Sequence, residues 1–332
     1  MEQQQARAYA QAGVDQAAHR AVVGRIARLA RTASRPEVLE GVGLFAAASR
    51  LPAELAEPVL VASTDNVGTK VLLAMALGRH DTVGIDCVAM CVNDLLTCGA
   101  EPLLFLDYLA LHRLDEELVA QVVGGIAAGC REAGCALVGG ETSQSGDLIQ
   151  PGAYDLSGTA VGVVDRAHWI QPRVALGDRV IGLPSAGLHS NGFSLVRRIL
   201  SRAGVDPAAH AEALLAPTRI YVRPVRALLA AGAEVHAMAH ITGGGLPGNL
   251  DRVLGSGQDA RLDPTAWTVP PVFRWLQELG GVAEVEMHRV FNMGIGFCLV
   301  VPPDQADAVC RRLPGAVSIG QIVPGSGQVQ LR

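Results

Sequence analysis

Aromatic residues make up only 4% of this sequence and charged residues 18%, against 49% hydrophobic residues over 332 positions. So little charge excludes a solvated, disordered chain, and the length suffices for two domains with cores of their own. No basic run interleaved with aromatics occurs and the net charge is -5, so nucleic acid is excluded as an expected partner. No stretch of about 18 uninterrupted apolar residues offers a membrane span. The first residues, Met1-Glu-Gln-Gln-Gln-Ala-Arg7, lack the basic-then-apolar order of a secretory signal. A cytoplasmic protein without a membrane partner is the expectation. Cysteine is scarce as well: seven residues, an odd number, scattered through apolar segments. That excludes a disulfide framework, and although Cys87, Cys91 and Cys98 cluster, no Cys-x2-Cys pair completes a zinc site.

What the sequence does have is a repeated pattern of apolar strand, tight turn and acid. The run over 58–62 leads into Ser63-Thr-Asp-Asn-Val-Gly-Thr-Lys70, which supplies a carboxylate (Asp65), close backbone approach (Gly68), a hydroxyl (Thr69) and an ammonium (Lys70). A divalent cation and a triphosphate need these groups, although the spacing is not that of a P-loop and such turns also serve local needs. Helical periodicity predicts helices over 20–31, 71–77, 86–98 and 115–134, and strands are predicted over 103–110, 136–138 and 158–164. Asn93 and Asp94 fall inside the helix 86–98, otherwise almost devoid of charge, where an acid is costly without a partner cation. Gly139, Gly140 and Glu141 read as another turn at a strand end. Asp65, Asp94 and Glu141 together make a plausible magnesium and phosphate site.

Pro172 and Gly177 punctuate 165–178, so the expected organisation is two α/β domains, 1–169 and 170–332. In the second, a strand over 179–183 precedes His189-Ser-Asn-Gly192, a loop entering a helix near 193. There Ser190 and Asn191 serve either as anion contacts or as helix caps. A second apolar strand ends at His240-Ile-Thr-Gly-Gly-Gly245 and enters a helix from about 246. Three successive glycines imply close approach of a ligand or another backbone. Either His189 or His240 suits a proton shuttle near neutrality, and either suits a satisfied structural role.

Across essentially its whole length the sequence resembles the phosphoribosylformylglycinamidine cyclo-ligase (aminoimidazole ribonucleotide synthetase) family. The matching stretches include Tyr9-Ala-Gln-Ala-Gly-Val-Asp15, Arg79-His-Asp-Thr-Val-Gly-Ile-Asp86, Val88-Ala-Met-Cys-Val-Asn-Asp94 and Phe105-Leu-Asp-Tyr108. Leu137-Val-Gly-Gly-Glu-Thr142, Ala216-Pro-Thr-Arg-Ile-Tyr221 and Phe291-Asn-Met-Gly-Ile-Gly296 extend the match. Selenophosphate synthetase and thiamine-monophosphate kinase look like more distant relatives. The resemblance implies a homodimer whose first domains pair into a closed β-barrel, with ATP and magnesium near the interface. It implies phosphorylation of a formyl amide oxygen of a ribonucleotide, followed by imidazole closure with loss of phosphate.

By carry-over, Asp65, Asp94 and Glu141 hold metal and triphosphate. Lys70 meets phosphate, with Gly68, Thr69, Asn93, Gly139 and Gly140 around the nucleotide. His189, Ser190, Asn191, Thr242, Gly243 and Gly244 face the substrate, and catalysis rests on Asp65, Lys70, Asp94, His189 and His240. Four segments depart from the family pattern. Asn66 replaces a glycine, and Gly43-Leu-Phe-Ala-Ala47 replaces a glycine-rich lid. Gln16-Ala-Ala-His-Arg20 and Ser143-Gln-Ser-Gly-Asp147 also differ, the latter losing an acid near the substrate. Two alternatives therefore stand beside the cyclo-ligase: a paralogue activating another amide, and a catalytically silent nucleotide-binding homologue.

Overall fold

The computed structural model describes residues 16–43 and 45–332. The stretch 9–15, Leu44 of the replaced lid, and the side chains of 16–20 lie outside the described residues. The first helix, Gln16–Arg31, starts four residues earlier than its periodicity suggested.

Strands β1 (Val38–Glu40) and β2 (Ala48–Ser49) form a small ribbon. They precede β3 (Pro58–Asn66), β4 (Glu101–Leu111), β5 (Ala136–Gln144) and β6 (Tyr154–Asp165), which form one sheet in the order β3-β6-β4-β5. The pair β4–β5 is parallel, and its crossover is the helix Glu116–Ala133. Asp115 caps that helix, accepting from the backbone N–H groups of Glu117 and Leu118.

One face of this sheet is covered by the helices Asp81–Thr97 and Glu116–Ala133, which bury Cys87, Val92, Val123 and Ile126 completely. The two helices pack backbone to backbone. A Cβ on Gly125 would stand 1.9 Å from the Asp81 carbonyl, which is why a glycine sits mid-helix despite its propensity cost. The opposite face carries Leu60, Leu106 and Tyr108 at 61%, 37% and 43% exposure, an apolar surface that no other described residues cover.

The second unit is a six-stranded sheet, order β12-β9-β11-β7-β10-β8. Its strands are β7 (Arg179–Pro184), β8 (Ala237–His240), β9 (Gln258–Leu262), β10 (Ile295–Val301), β11 (Val317–Pro324) and β12 (Val329–Leu331). Strand β10, one in from the β8 edge, is buried at every residue and reads as a continuous apolar run, since helices or loops cover both its faces. The helix Phe193–Ala203 shares a hydrophobic cluster with Val71 and Leu73 of the helix Lys70–Leu77, so one core runs through the contact between the units.

Two strands run longer than their apolar cores predicted, and this relocates candidate residues. Asp65 lies within β3 rather than in a turn beyond it, opposite Gly158 of β6. Gly139, Gly140 and Glu141 lie within the edge strand β5, where the register with β4 shifts between Phe105 and Leu106. No tight turn is present there. Gly140 has a packing reason of its own: a Cβ would fall 2.5 Å from both the carbonyl and a carboxyl oxygen of Asp107.

Asp107 is one of the two buried carboxyls of the first unit, with Asp86, and burial pushes its pKa up to about 7 from 3.8. Raised folded affinity for a proton means that its contribution to stability is fully present below about pH 4 and is lost as pH rises through 7. Asp107→Asn, which mimics the neutral acid, should leave stability at pH 4 near wild type. By pH 8 it should exceed wild type by a few kcal/mol, with roughly 4 as the ceiling at 1.36 kcal/mol per unit. Urea denaturation of both proteins across this range measures the difference.

Candidate active site

Where the two units meet, a cleft of about 570 Å³ is lined by Asp65 and Asp94 from the first and His240, Thr242 and Arg252 from the second. Asp65 arrives on β3, with its side chain on the helix-covered face, and Asp94 projects from the last turns of Asp81–Thr97. Ser63, two residues before Asp65 and therefore on the same face, donates its hydroxyl to Asp94 Oδ2 at 3.1 Å. His240 Nδ1 stands 2.9 Å from Asp94 Oδ1. Since an ionised carboxylate only accepts, Nδ1 carries the proton and the Nε2 lone pair faces the Asn93 amide at 3.5 Å. His240 is thereby fixed in one tautomer, and Asp94 keeps a partly exposed carboxylate toward the cleft.

Burial pushes the pKa of Asp65 up; the Asn66 backbone N–H at 2.7 Å opposes this, and the negative Asp94 adds to it. Two neighbouring acids, one of them with its charge disfavoured, with hard oxygens open to a solvent cleft, fit a divalent cation that also takes waters and phosphate oxygens. Glu141 does not join them within one chain. It pairs with Tyr108 on the open face of the sheet, three strands from β3, or about 14 Å at ordinary strand spacing. Among the described residues no three acidic, cysteine or histidine side chains gather at one metal position. The expected triad is therefore a pair within the protomer, because strand order separates residues that each looked like a strand-end acid.

Lys70 also departs from expectation. Its ammonium is completely buried, 2.7 Å from Asp86 Oδ2, and donates to the carbonyls of His189 and Ala216. The ring of Phe193 lies 5.5 Å away. Burial lowers its pKa, while Asp86 opposes that shift. Lys70 thus ties the first unit to the second and has no exposed surface toward the cleft. Asp86 completes the tie by accepting from both the backbone and hydroxyl of Thr218.

Asn93 is a second tie, since its amide accepts from Tyr221 N–H and donates to the Arg219 carbonyl from a fully buried position. Thr69 makes a third through its hydroxyl at 3.2 Å from Ser194. Gly68, at φ 68°, turns the chain between Asp65 and Lys70 so that one faces the cleft and the other the interior.

His189 is likewise interior. Its Nε2 accepts from Ala186 N–H, its Nδ1 has no hydrogen-bond partner among the described residues, and burial holds its pKa well below the ordinary value. A neutral imidazole locked into its own loop is a poor shuttle, so of the two histidines only His240 reaches the cleft. Ser190 contacts the Thr218 hydroxyl rather than capping a helix. The loops 189–192 and 242–245 do meet, with Asn191 Oδ1 3.5 Å from the position of a Gly243 Cβ.

The glycine run has partly structural causes. Gly244 has φ 100°, and a Cβ on Gly245 would lie 2.0 Å from the His288 carbonyl. Asn249 fixes this turn by donating to the carbonyls of Gly243 and Gly245, while Thr242 donates to its Oδ1. The helix that follows, Pro247–Leu250, is a single turn.

Sequence reasoning missed Ser63, Asp86, Thr218 and Arg252. For Asp86 the signal was present: it is an acid in the same predominantly apolar helix that drew attention to Asp94. A larger cavity of about 940 Å³ lies under the connection between the units, beside Trp169, Glu101 and Arg226. Its two arginines are already paired, Arg226 with Glu101 and Arg173 with Glu234, and it holds none of Asp65, Asp94 and His240, so the chemistry is placed in the smaller cleft.

Residues 47–164 match the AIR synthase related protein N-terminal domain, and residues 175–332 match the corresponding C-terminal domain. The chain is 52% identical over 333 residues to the phosphoribosylformylglycinamidine cyclo-ligase of Thermosynechococcus vestitus, covering 97% of this chain and 98% of that protein. Identity to the cyclo-ligase of Xanthomonas oryzae pv. oryzae is 51% over 338 residues, covering 98% and 99%.

Among solved structures, thiamine-monophosphate kinase from Stenotrophomonas maltophilia K279a superposes with a TM-score of 0.67 at 25% identity, covering 92% and 94% of the two chains. The hydrogenase maturation protein HypE in complex with ATP gives 0.67 at 21% identity, covering 91% and 88%, and at that identity attests the fold alone. Matched nearly end to end and at half its residues, this chain belongs to the phosphoribosylformylglycinamidine cyclo-ligase family of AIR synthase proteins.

Proposed function

We propose that this protein is an ATP-dependent cyclo-ligase that converts formylglycinamidine ribonucleotide to aminoimidazole ribonucleotide, ADP and phosphate, a step of purine biosynthesis. The observation that carries the reading is the meeting of Asp65, Asp94 and His240 in one cleft between the two units of a chain 52% identical to a named cyclo-ligase. In the reaction the formyl amide oxygen attacks the γ-phosphorus of ATP, the bond to ADP breaks, a nitrogen closes on the activated carbon, and phosphate leaves. Magnesium, when bound, supplies positive charge to the transferring phosphoryl group. Asp65 and Asp94 would hold it. Asp94 also orients His240, and the Asp94–His240 pair is the base at the cleft for the proton released on ring closure. Ser63 and Asn93 keep these two side chains in place.

We place the domain boundary at 169/170, between the last strand of the first sheet and the first of the second. A homodimer follows from the same reading. The uncovered face bearing Leu60, Leu106 and Tyr108 suits a second copy, and pairing the free edges of β3 and β5 between copies would close a barrel. That closure would set the β5 edge of one copy beside the β3 edge of the other, with Glu141 on the barrel's inner face and Asp65 on its helix-covered side.

The test is to supply the purified protein with magnesium-ATP and formylglycinamidine ribonucleotide and to follow ADP, phosphate and aminoimidazole ribonucleotide together. Equal amounts of all three are expected. Phosphate release with other amides but not with this one, or ATP binding with no turnover, would sink the reading.

A further inference from the structure

The cleft has two acids on one wall and needs a cation to accept phosphate on the other, yet Lys70, the expected phosphate ligand, is sealed inside a cage of Asp86 and two carbonyls. Arg252 is the cationic side chain of the second unit that lines the cleft. Among the described residues it has no carboxylate partner, unlike Arg173 and Arg226, which are paired at the other cavity. Its backbone is nonetheless held, in the helical turn Asp251–Val253 that continues Pro247–Leu250, whose Asn249 donates to the carbonyls of Gly243 and Gly245. A rigid base with an uncommitted guanidinium is what bidentate recognition of a phosphate requires.

We propose that Arg252 is a substrate-binding residue that pairs with a phosphate group of the reactants across the cleft from Asp65 and Asp94. The assignment rests on the cyclo-ligase reading for its substrates but not for its binding chemistry. A phosphate could belong to the triphosphate or to the ribonucleotide, so the test has two arms. Steady-state kinetics of Arg252→Ala and Arg252→Lys should raise KM for one of the two substrates by about tenfold or more, matching the size of a lost charge-assisted contact. Lysine should recover part of that loss. The substrate affected names the phosphate. Unchanged KM for both, or a fall in kcat with both KM values intact, overturns the proposal.

Direct titration of wild type and Arg252→Ala with magnesium-ATP and separately with inorganic pyrophosphate tests binding independently of turnover. Wild type that binds but does not turn over indicts the function, whereas equal binding of both probes by both proteins, together with unchanged KM values, indicts Arg252. Because the side chain is exposed, both variants should melt within a degree or two of wild type.

Discussion

Asp94→Asn is expected to cut turnover by about 10²–10³-fold, the scale of removing one preorganised electrostatic contact from an active site, while leaving the fold intact. The substitution is nearly isosteric. Its amide oxygen can still accept from His240 Nδ1, so histidine orientation survives and the loss isolates the charge. Two consequences separate this from simple damage. The magnesium concentration needed for half-maximal rate should rise, because one of two anionic oxygens is gone. The melting temperature should hold steady or increase slightly, because Asp65 is relieved of a like-charged neighbour. Kinetics over a magnesium series, with thermal melts alongside, provide both readings. Wild-type turnover in a folded Asp94→Asn would remove this carboxylate from the cation site.

That prediction depends on a placement legible in the sequence, because an acid in a predominantly apolar helix is informative wherever the helix packs. Asp94 was found this way, and His240 by its position at the end of an apolar run. In the structure the two side chains meet, 2.9 Å apart, at the cleft. Lys70 failed for the converse reason. A lysine after Gly-Thr looks identical whether it faces phosphate or interior, and only the partner, Asp86, sixteen positions on in sequence, decides. Sequence patterns give the face of a helix but not which neighbouring domain lands on it.

Glu141 failed differently. Its strand was predicted to stop at 138 because glycine weakens strand signals, whereas β5 continues to Gln144 with a register shift, held by pairing to β4. Strand order, which sets the distance from Asp65, is a tertiary property that alternation cannot encode. The segment 143–147, where an acid of the family is missing, runs from the end of that strand into the following turn, with Ser143 and Ser145 hydroxyls 3.4 Å apart.

Removing the Lys70 ammonium should cost a large part of the stability of the fold. Lys70→Met keeps much of the side-chain volume against Phe193 but leaves Asp86 completely buried with only the two Thr218 donors to hold its charge. Breaking one side of a buried ion pair costs about 3–5 kcal/mol, a large part of the stability of an ordinary domain. The loss should not be that of the pair as such. In the double variant Lys70→Met, Asp86→Asn, the neutral amide can still accept from Thr218, and stability should recover by at least about 2 kcal/mol relative to Lys70→Met, since no uncompensated charge remains. Full recovery is not expected, because the carbonyls of His189 and Ala216 lose their donor. Those carbonyls belong to the second unit, so the residual defect should appear as a looser seam between the halves, read as faster amide hydrogen exchange around 189–192 and 216–218. If the single and double variants prove equally stable, the ammonium serves a ligand rather than Asp86, and Lys70 returns to the cleft.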